Sequence, residues 1–293
     1  MQLIRICEII KGGEKMKPEL YIKLTGKDDE FELSSKIPQL SFLGCTDTPI
    51  QTNSYGDFNG VDGSLFYYSN TSRNTITAKF LLKFKDYYQY KALRQEIYRL
   101  FMQKHLYRIR TDAEKTLVNY VIPTAFEIEP FEAFANFSQI TIVFDNPSGY
   151  KFSRYRSDEQ TDIWDEYPLG WHIPIFNEES FKFKEDGFQV FNPSDVSIDP
   201  YLKKHDLKIK MKFKGTNVYL ENTTNGSNWG FNGQLTRDDI VILDGINTYL
   251  NGNPASGQTN FGNLVLDQGW NEISVTGATE IEIIFSFPFI YID

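Results

Sequence analysis

Asp165 and Glu166 are adjacent carboxylates flanked by Trp164 and Trp171, the residue types with which a sugar hydrolase does acid–base work beside aromatic platforms. They stand on an aperiodic stretch rich in Pro and charge, where neighbouring acids serve more commonly as solvated linker charge, so no catalytic role is expected of them. Asp238, Asp239, Asp244 and Gly245 have the composition of a calcium loop without its spacing, which predicts a turn and a strand instead. His105, His172 and His205 are far apart and none falls in a ligand-spaced motif. His105 follows a helical pattern, where it complements the helix dipole. The two cysteines, Cys7 and Cys45, are too few for a disulfide framework or a cysteine-rich zinc site, and Cys45 reads as a buried thiol. No Gly-rich phosphate loop, Ser-centred elbow or catalytic Cys pairing is present, so neither enzymatic activity nor a metal or cofactor is expected.

Two constellations point to binding. Trp229 lies among Asn225, Asn228 and Asn232, and an indole face with amide side chains is what a glycan site uses; the competing reading is a Trp covering one end of a core. Lys208, Lys210, Lys212 and Lys214 alternate with Leu207, Ile209, Met211 and Phe213. Such a stripe docks an anionic surface or, more commonly, is the wet face of a sheet or an edge strand guarded by charge. A formal net charge of −9 argues against a protein built to grip nucleic acid through its phosphates.

The elements that must position these residues are mostly strands. Aromatic residues make up 15 % of the 293, a level that suits β structure, and no apolar run is long enough to span a membrane. The segment Asn59 to Arg110 organises the first half. Gly60, Asp62 and Gly63 punctuate a turn, and Gln51 to Gly63 reads as a polar loop. Ile76, Ala78, Phe80, Leu82 and Phe84 then alternate with polar residues as a half-buried strand does. At Asp86 the period changes to that of a helix, with Gln89 available as a capping-box partner. Tyr90, Leu93, Ile97, Leu100 and Phe101 share the apolar face of that helix.

Strands are expected at Leu20 to Leu24, Phe31 to Leu33, Ile37 to Phe42, Thr116 to Ile122, Phe126 to Glu129 and Ile140 to Phe144. The expected fold is therefore mainly β. An α+β N-terminal domain with antiparallel sheets and one long helix spans 16–145, a linker 146–179, and a C-terminal β-sandwich or jelly roll 180–293. Residues 1–15 read as an upstream extension. Lys11-Gly12-Gly13-Glu14-Lys15-Met16 is what a purine-rich ribosome-binding site placed before a start codon would encode, so translation is expected to begin at Met16, and no signal-peptide core or cleavage site is visible.

The order of these parts resembles the distal tail protein of siphophages infecting Gram-positive bacteria. The resemblance rests on Gly60-Val61-Asp62-Gly63, the strand Thr75 to Phe84, the helix from Asp86, and Ser138 to Phe144 leading into Asp145-Asn146-Pro147. In the second half it rests on Phe191-Asn192-Pro193, Leu220-Glu221-Asn222-Thr223, Asp238 to Asp244, and Asp267 through Val275. It implies a galectin-like or carbohydrate-module-like second domain and a six-fold ring of first domains, in which a β-hairpin and the helix region make the subunit contacts. It also implies a place at the virion tail tip after assembly in the host cytoplasm. The implied partners are further copies of the chain, the tail-tube protein, the tail-tip protein, and side appendages or receptor-binding proteins. An acidic chain suits a ring that lets DNA pass. Such a ring requires two complementary patches on each subunit. The candidates are Tyr87, Tyr88 and Tyr90 at the helix start and the loop Gln51 to Tyr68 with Gly60, Asp62 and Gly63. A glycan-binding adhesin reading the bacterial wall through Trp229, Asn228 and Asn232 is the alternative. A wall-degrading enzyme acting through Asp165 and Glu166 is not expected.

Overall fold

The computed structural model describes residues 10–11, 14–15, 17–26, 29–60, 62–132, 134–159 and 178–292. Val61, Asp165, Glu166, Trp164, Trp171, His172, Cys7 and most of the 1–15 stretch lie outside them. The chain forms two compact units, Met1–Lys151 with Ile292–Asp293, and Phe152–Tyr291.

In the first unit, β1 (Ile10–Lys11) and β2 (Glu14–Lys15) form a small ladder of their own. They are followed by β3 (Leu20–Leu24), β4 (Glu30–Glu32), α1 (Leu33–Lys36), β5 (Leu40–Thr46), β6 (Ile50–Asp57), β7 (Ser64–Ser72), β8 (Asn74–Lys83), α2 (Tyr87–Phe101), β9 (Tyr107–Thr111), β10 (Leu117–Pro123) and β11 (Phe137–Asn146). The main sheet runs β4-β3-β9-β10-β11-β8-β5, antiparallel throughout. β8 buries Ile76, Ala78, Phe80 and Leu82 and leaves Thr75, Lys79 and Lys83 outside, as its period requires. α2 lays Tyr90, Leu93, Ile97 and Phe101 on the same core. Asp86 caps the helix by accepting from the Gln89 amide at 2.8 Å, while the Gln89 side chain accepts from the Lys85 amide at 2.7 Å. The return bond of the capping box thus falls one residue before the N-cap.

Several expectations need correction. The segment expected as a loop from Gln51 to Gly63 is mostly strand: β6 pairs with β7 in a separate two-stranded sheet, and Gly60 and Gly63 belong to its turn. Leu33 opens α1 instead of continuing a strand, because its side chain enters the core there. Phe126 to Glu129 joins no ladder: the carbonyls of Phe126 and Ile128 accept from the hydroxyls of Tyr98 and Tyr90, so the helix takes the place of a neighbouring strand. Cys45 is exposed. A bulge between Phe42 and Gly44 interrupts the alternation of β5, the last strand of the main sheet, before the cysteine is reached.

The second unit contains β12 (Lys151–Arg156), within the expected linker, then β13 (Lys182–Phe183), β14 (Gly187–Asn192), β15 (Lys208–Asn222), β16 (Ser227–Leu235), β17 (Val241–Asp244), β18 (Asn247–Leu250), β19 (Asn253–Pro254), β20 (Gly269–Ser286) and β21 (Pro288–Tyr291). The long strands β15 and β20 pair along most of their length and carry two sets of neighbours. Toward one end the order is β13-β20-β15-β17-β18-β19, and toward the other it is β14-β20-β15-β16. Bulges between Lys212 and Tyr219 separate the halves, the device by which strands turn a corner from one layer to the other. Gly215 sits there because a Cβ would overlap the Gly277 carbonyl. The halves meet through Trp229 of β16, whose indole donates to the Thr248 hydroxyl of β18 at 2.9 Å. The lysine stripe lies on an inner strand, paired on both sides, so it is a solvated face and not a guarded edge. Lys208 pairs with Asp244 and Lys214 with Glu280.

Candidate interaction surfaces

The β6–β7 ribbon is built from residues that bury nothing within the unit. β6 is polar, and β7 carries Leu65, Phe66, Tyr67 and Tyr68 in succession; because neighbouring side chains alternate, both faces of the ribbon become aromatic or apolar. Tyr55 stands opposite Phe66, with ring centroids 5.9 Å apart, and both are exposed. Tyr67 lies across Gly56, where any Cβ would overlap its ring, so the glycine is what lets the ring lie flat. Phe58, also exposed, leads into the turn, where Gly60 and Gly63 hold φ of +81° and +83°. Each strand of the ribbon pairs only with the other, so both outer edges lack a neighbour among the described residues. Two-stranded ribbons of this kind are marginal in water and gain stability from something laid against them.

The three tyrosines at the start of α2 have different fates. Tyr87 is 63 % exposed and Tyr88 87 %, whereas Tyr90 is 4 % exposed and donates its hydroxyl to the Ile128 carbonyl at 2.6 Å. Burial raises the Tyr90 phenol above its ordinary pKa. Tyr90 is thus a core residue, and only Tyr87 and Tyr88 are available to a partner. Lys91 sits 5.1 Å from the Tyr87 ring centroid, a cation–π contact. A groove beside this helix start is lined by Tyr87, Lys91, Arg94, Glu129, Pro130 and Glu132, among others.

Elsewhere in the first unit, a cavity of about 260 Å³ is walled by Pro18, Phe42, Cys45 and the ion cluster in which Lys151 meets Asp47 at 3.4 Å and Glu114 at 3.2 Å. Among the described residues no group of three or more His, Cys, Asp or Glu is placed to hold a metal ion.

In the second unit, Trp229 is 0 % exposed, which closes its faces to a sugar. Asn228 is half-buried and engaged with Asn260 and the Gly226 carbonyl, while Asn232 is exposed. Asp239 accepts from Thr236 and Asn251 and so closes a turn; these bonds hold its carboxyl below its ordinary pKa. His205 is pressed against the Ser197 carbonyl at 3.0 Å, and burial lowers its pKa. Tyr55, Phe58, Leu65, Phe66 and Tyr67 fall within the stretch Gln51 to Tyr68 that the sequence offers as a candidate surface, but as members of a loop and not as the aromatic faces of a paired ribbon. The four-residue apolar run ahead of a polar stretch and after an Asp-Gly turn was the signal available for a hairpin.

Residues 28–146 match the family model of the phage tail protein RIFT-related domain. The fold is similar to that in the crystal structure of the SPP1 Dit (gp 19.1) protein, a paradigm of the hub adsorption apparatus in phages infecting Gram-positive hosts. The TM-score is 0.63 at 11 % identity, covering 92 % of this chain and 99 % of that one. A looser overlap, TM-score 0.44 at 10 % identity over 92 % of this chain and 97 % of the other, is with a chain of the activated phage p2 baseplate. No curated protein sequence matches.

Proposed function

We infer that this chain is a structural component of a siphophage tail tip, a distal tail protein, since residues 28–146 belong to the phage tail RIFT-related domain family and the chain has the fold of a Dit protein. It assembles with other tail and baseplate proteins. Its own copies close a ring of six, formed in the host cytoplasm, with the tail-tube protein on one side and the tail-tip protein on the other. The second unit offers attachment to side appendages or receptor-binding proteins.

The observation that carries the ring is the β6–β7 arm, which exposes aromatic residues on both faces and has two unpaired edges. A heterologous ring needs two unlike patches per subunit. The arm supplies one, and Tyr87 with Tyr88 supplies the other, aromatic anchors of the kind interfaces favour. The test is native mass spectrometry of the full chain at low micromolar concentration beside a variant in which residues 51–71 are replaced by a short Gly-Ser turn. Because Ile50 and Ser72 are already paired at the arm's base, the replacement closes without straining β5 or β8. A hexamer for the full chain and a folded monomer for the variant are expected. A full chain that stays monomeric, or a variant that still forms hexamers, refutes the reading.

A further inference from the structure

Trp270 is 56 % exposed, in contrast to the buried Trp229. It lies on β20 opposite Phe191 of β14, with ring centroids 4.9 Å apart in an edge-to-face pair. Alternation fixes what shares its face. Val190, Asn271, Ile273, Leu220 and Trp229 turn inward and are buried, so Gln189, Glu272, Ser274, Glu221 and Asn228 turn outward with Trp270. The ladder places Gln189 opposite Glu272, and then Ser274, Glu221 and Asn228 in one row across β20, β15 and β16. The Glu221 carboxylate is half-buried and, among the described residues, accepts no hydrogen bond; the Ser274 hydroxyl likewise has no partner among them. The Gln189 amide reaches Glu272 at 3.4 Å, a long bond that a better acceptor or donor would readily replace.

We propose that this outer face of β14, β20, β15 and β16 binds a neutral oligosaccharide, with Trp270 stacking on a sugar ring and the Glu221, Glu272 and Gln189 side chains taking its hydroxyls. An aromatic pair at one end of a strip of carboxylate, amide and hydroxyl groups matches a polyol, whose C–H face is apolar and whose rim donates and accepts. A protein partner would want further apolar neighbours around the indole, and apart from Phe191 the face supplies polar ones. Two carboxylates with no Lys or Arg among these positions select against phosphate-bearing polymers. From Trp270 to Ser274 along β20 the strip is about 13 Å long, room for more than one sugar ring. The strip belongs to the second unit, whereas the arm and helix start belong to the first, so the proposal shares no residue with the ring contacts and is tested by different variants.

The experiment is saturation-transfer NMR followed by titration of the full chain with neutral tetrasaccharides of N-acetylglucosamine, glucose and galactose, and with a glycerol-phosphate oligomer. At least one neutral tetrasaccharide binds; Trp270→Ala weakens it about tenfold or more, the scale of losing one aromatic stacking contact, and Trp270→Phe retains part of the affinity. Glu272→Lys, at an exposed position, also weakens the neutral ligand and covers the case in which Trp270→Ala alters the melting curve. Absence of binding by every neutral tetrasaccharide at a few millimolar, undiminished binding by both variants, or equal binding of the glycerol-phosphate oligomer overturns the proposal.

Discussion

Changing Tyr87 and Tyr88 together to alanine separates association from folding. In the monomer both side chains are largely in water, so their removal forfeits only the Tyr87–Tyr90 ring contact at 5.9 Å and the Lys91–Tyr87 contact at 5.1 Å. Those are worth roughly 0.5–1 kcal/mol each, and alanine's better helix propensity returns a few tenths per site. The net cost to folding is therefore about 1 kcal/mol, a melting shift of no more than a few degrees. In the proposed ring, where these two side chains are the anchors of each subunit contact, their loss at about 2 kcal/mol apiece would weaken every contact by roughly a thousandfold. Native mass spectrometry at low micromolar concentration should show monomers, while differential scanning fluorimetry shows a nearly unchanged transition. Undiminished hexamers would refute the assignment of this patch. A fall in melting temperature of ten degrees or more would refute the reading of Tyr87 and Tyr88 as surface residues.

Two further outcomes follow from buried side chains of the second unit. Trp229→Ala removes one of its largest buried side chains and the donor to Thr248, and should lower unfolding free energy by about 3–5 kcal/mol in urea titration; a loss below about 1 kcal/mol would mean the indole is not in the core. His205 has its folded pKa lowered by burial from an ordinary value of 6.5, with Lys203 also lowering it and the Ser197 carbonyl and Asp199 opposing. Its neutral form is thus the one the fold favours. The contribution is present above the unfolded pKa and is lost as pH falls from about 6.5 through the folded value. Melting measured between pH 8 and pH 5 should drop more for the native chain than for His205→Gln, and parallel curves would sink the argument.

What the sequence made legible was whatever depends on one buried face. β8 and α2 declare themselves because the core takes every second residue of one and every third or fourth of the other, and the Asp86 cap marks where the period changes. The arm shows as a candidate surface but not as paired strands, for the opposite reason: with both faces exposed, β6 and β7 have no hydrophobic period, and Gln51 to Ser54 look like a loop. Trp229 and Trp270 show the limit for the site. Both are tryptophans near amide side chains, and only the alternation along β16 and β20 decides which turns inward. Cys45 escaped because a bulge two residues before it breaks the count on which an expectation of burial rests. Tyr90 was readable as part of the apolar helix face, yet its neighbours Tyr87 and Tyr88 drew it into the candidate surface.

The arm also sets conditions on the protein before it meets its neighbours. Strands with open backbone groups and aromatic side chains recruit any compatible strand, including the same ribbon on another molecule in the wrong register. Asp57 near the tip and the run Thr52-Asn53-Ser54 of β6 are weak deterrents. Subunits held long at high concentration without a partner on the arm would therefore drift into disordered clumps, and on the proposed ring assembly it is prompt pairing with a neighbour that would keep the arm productive.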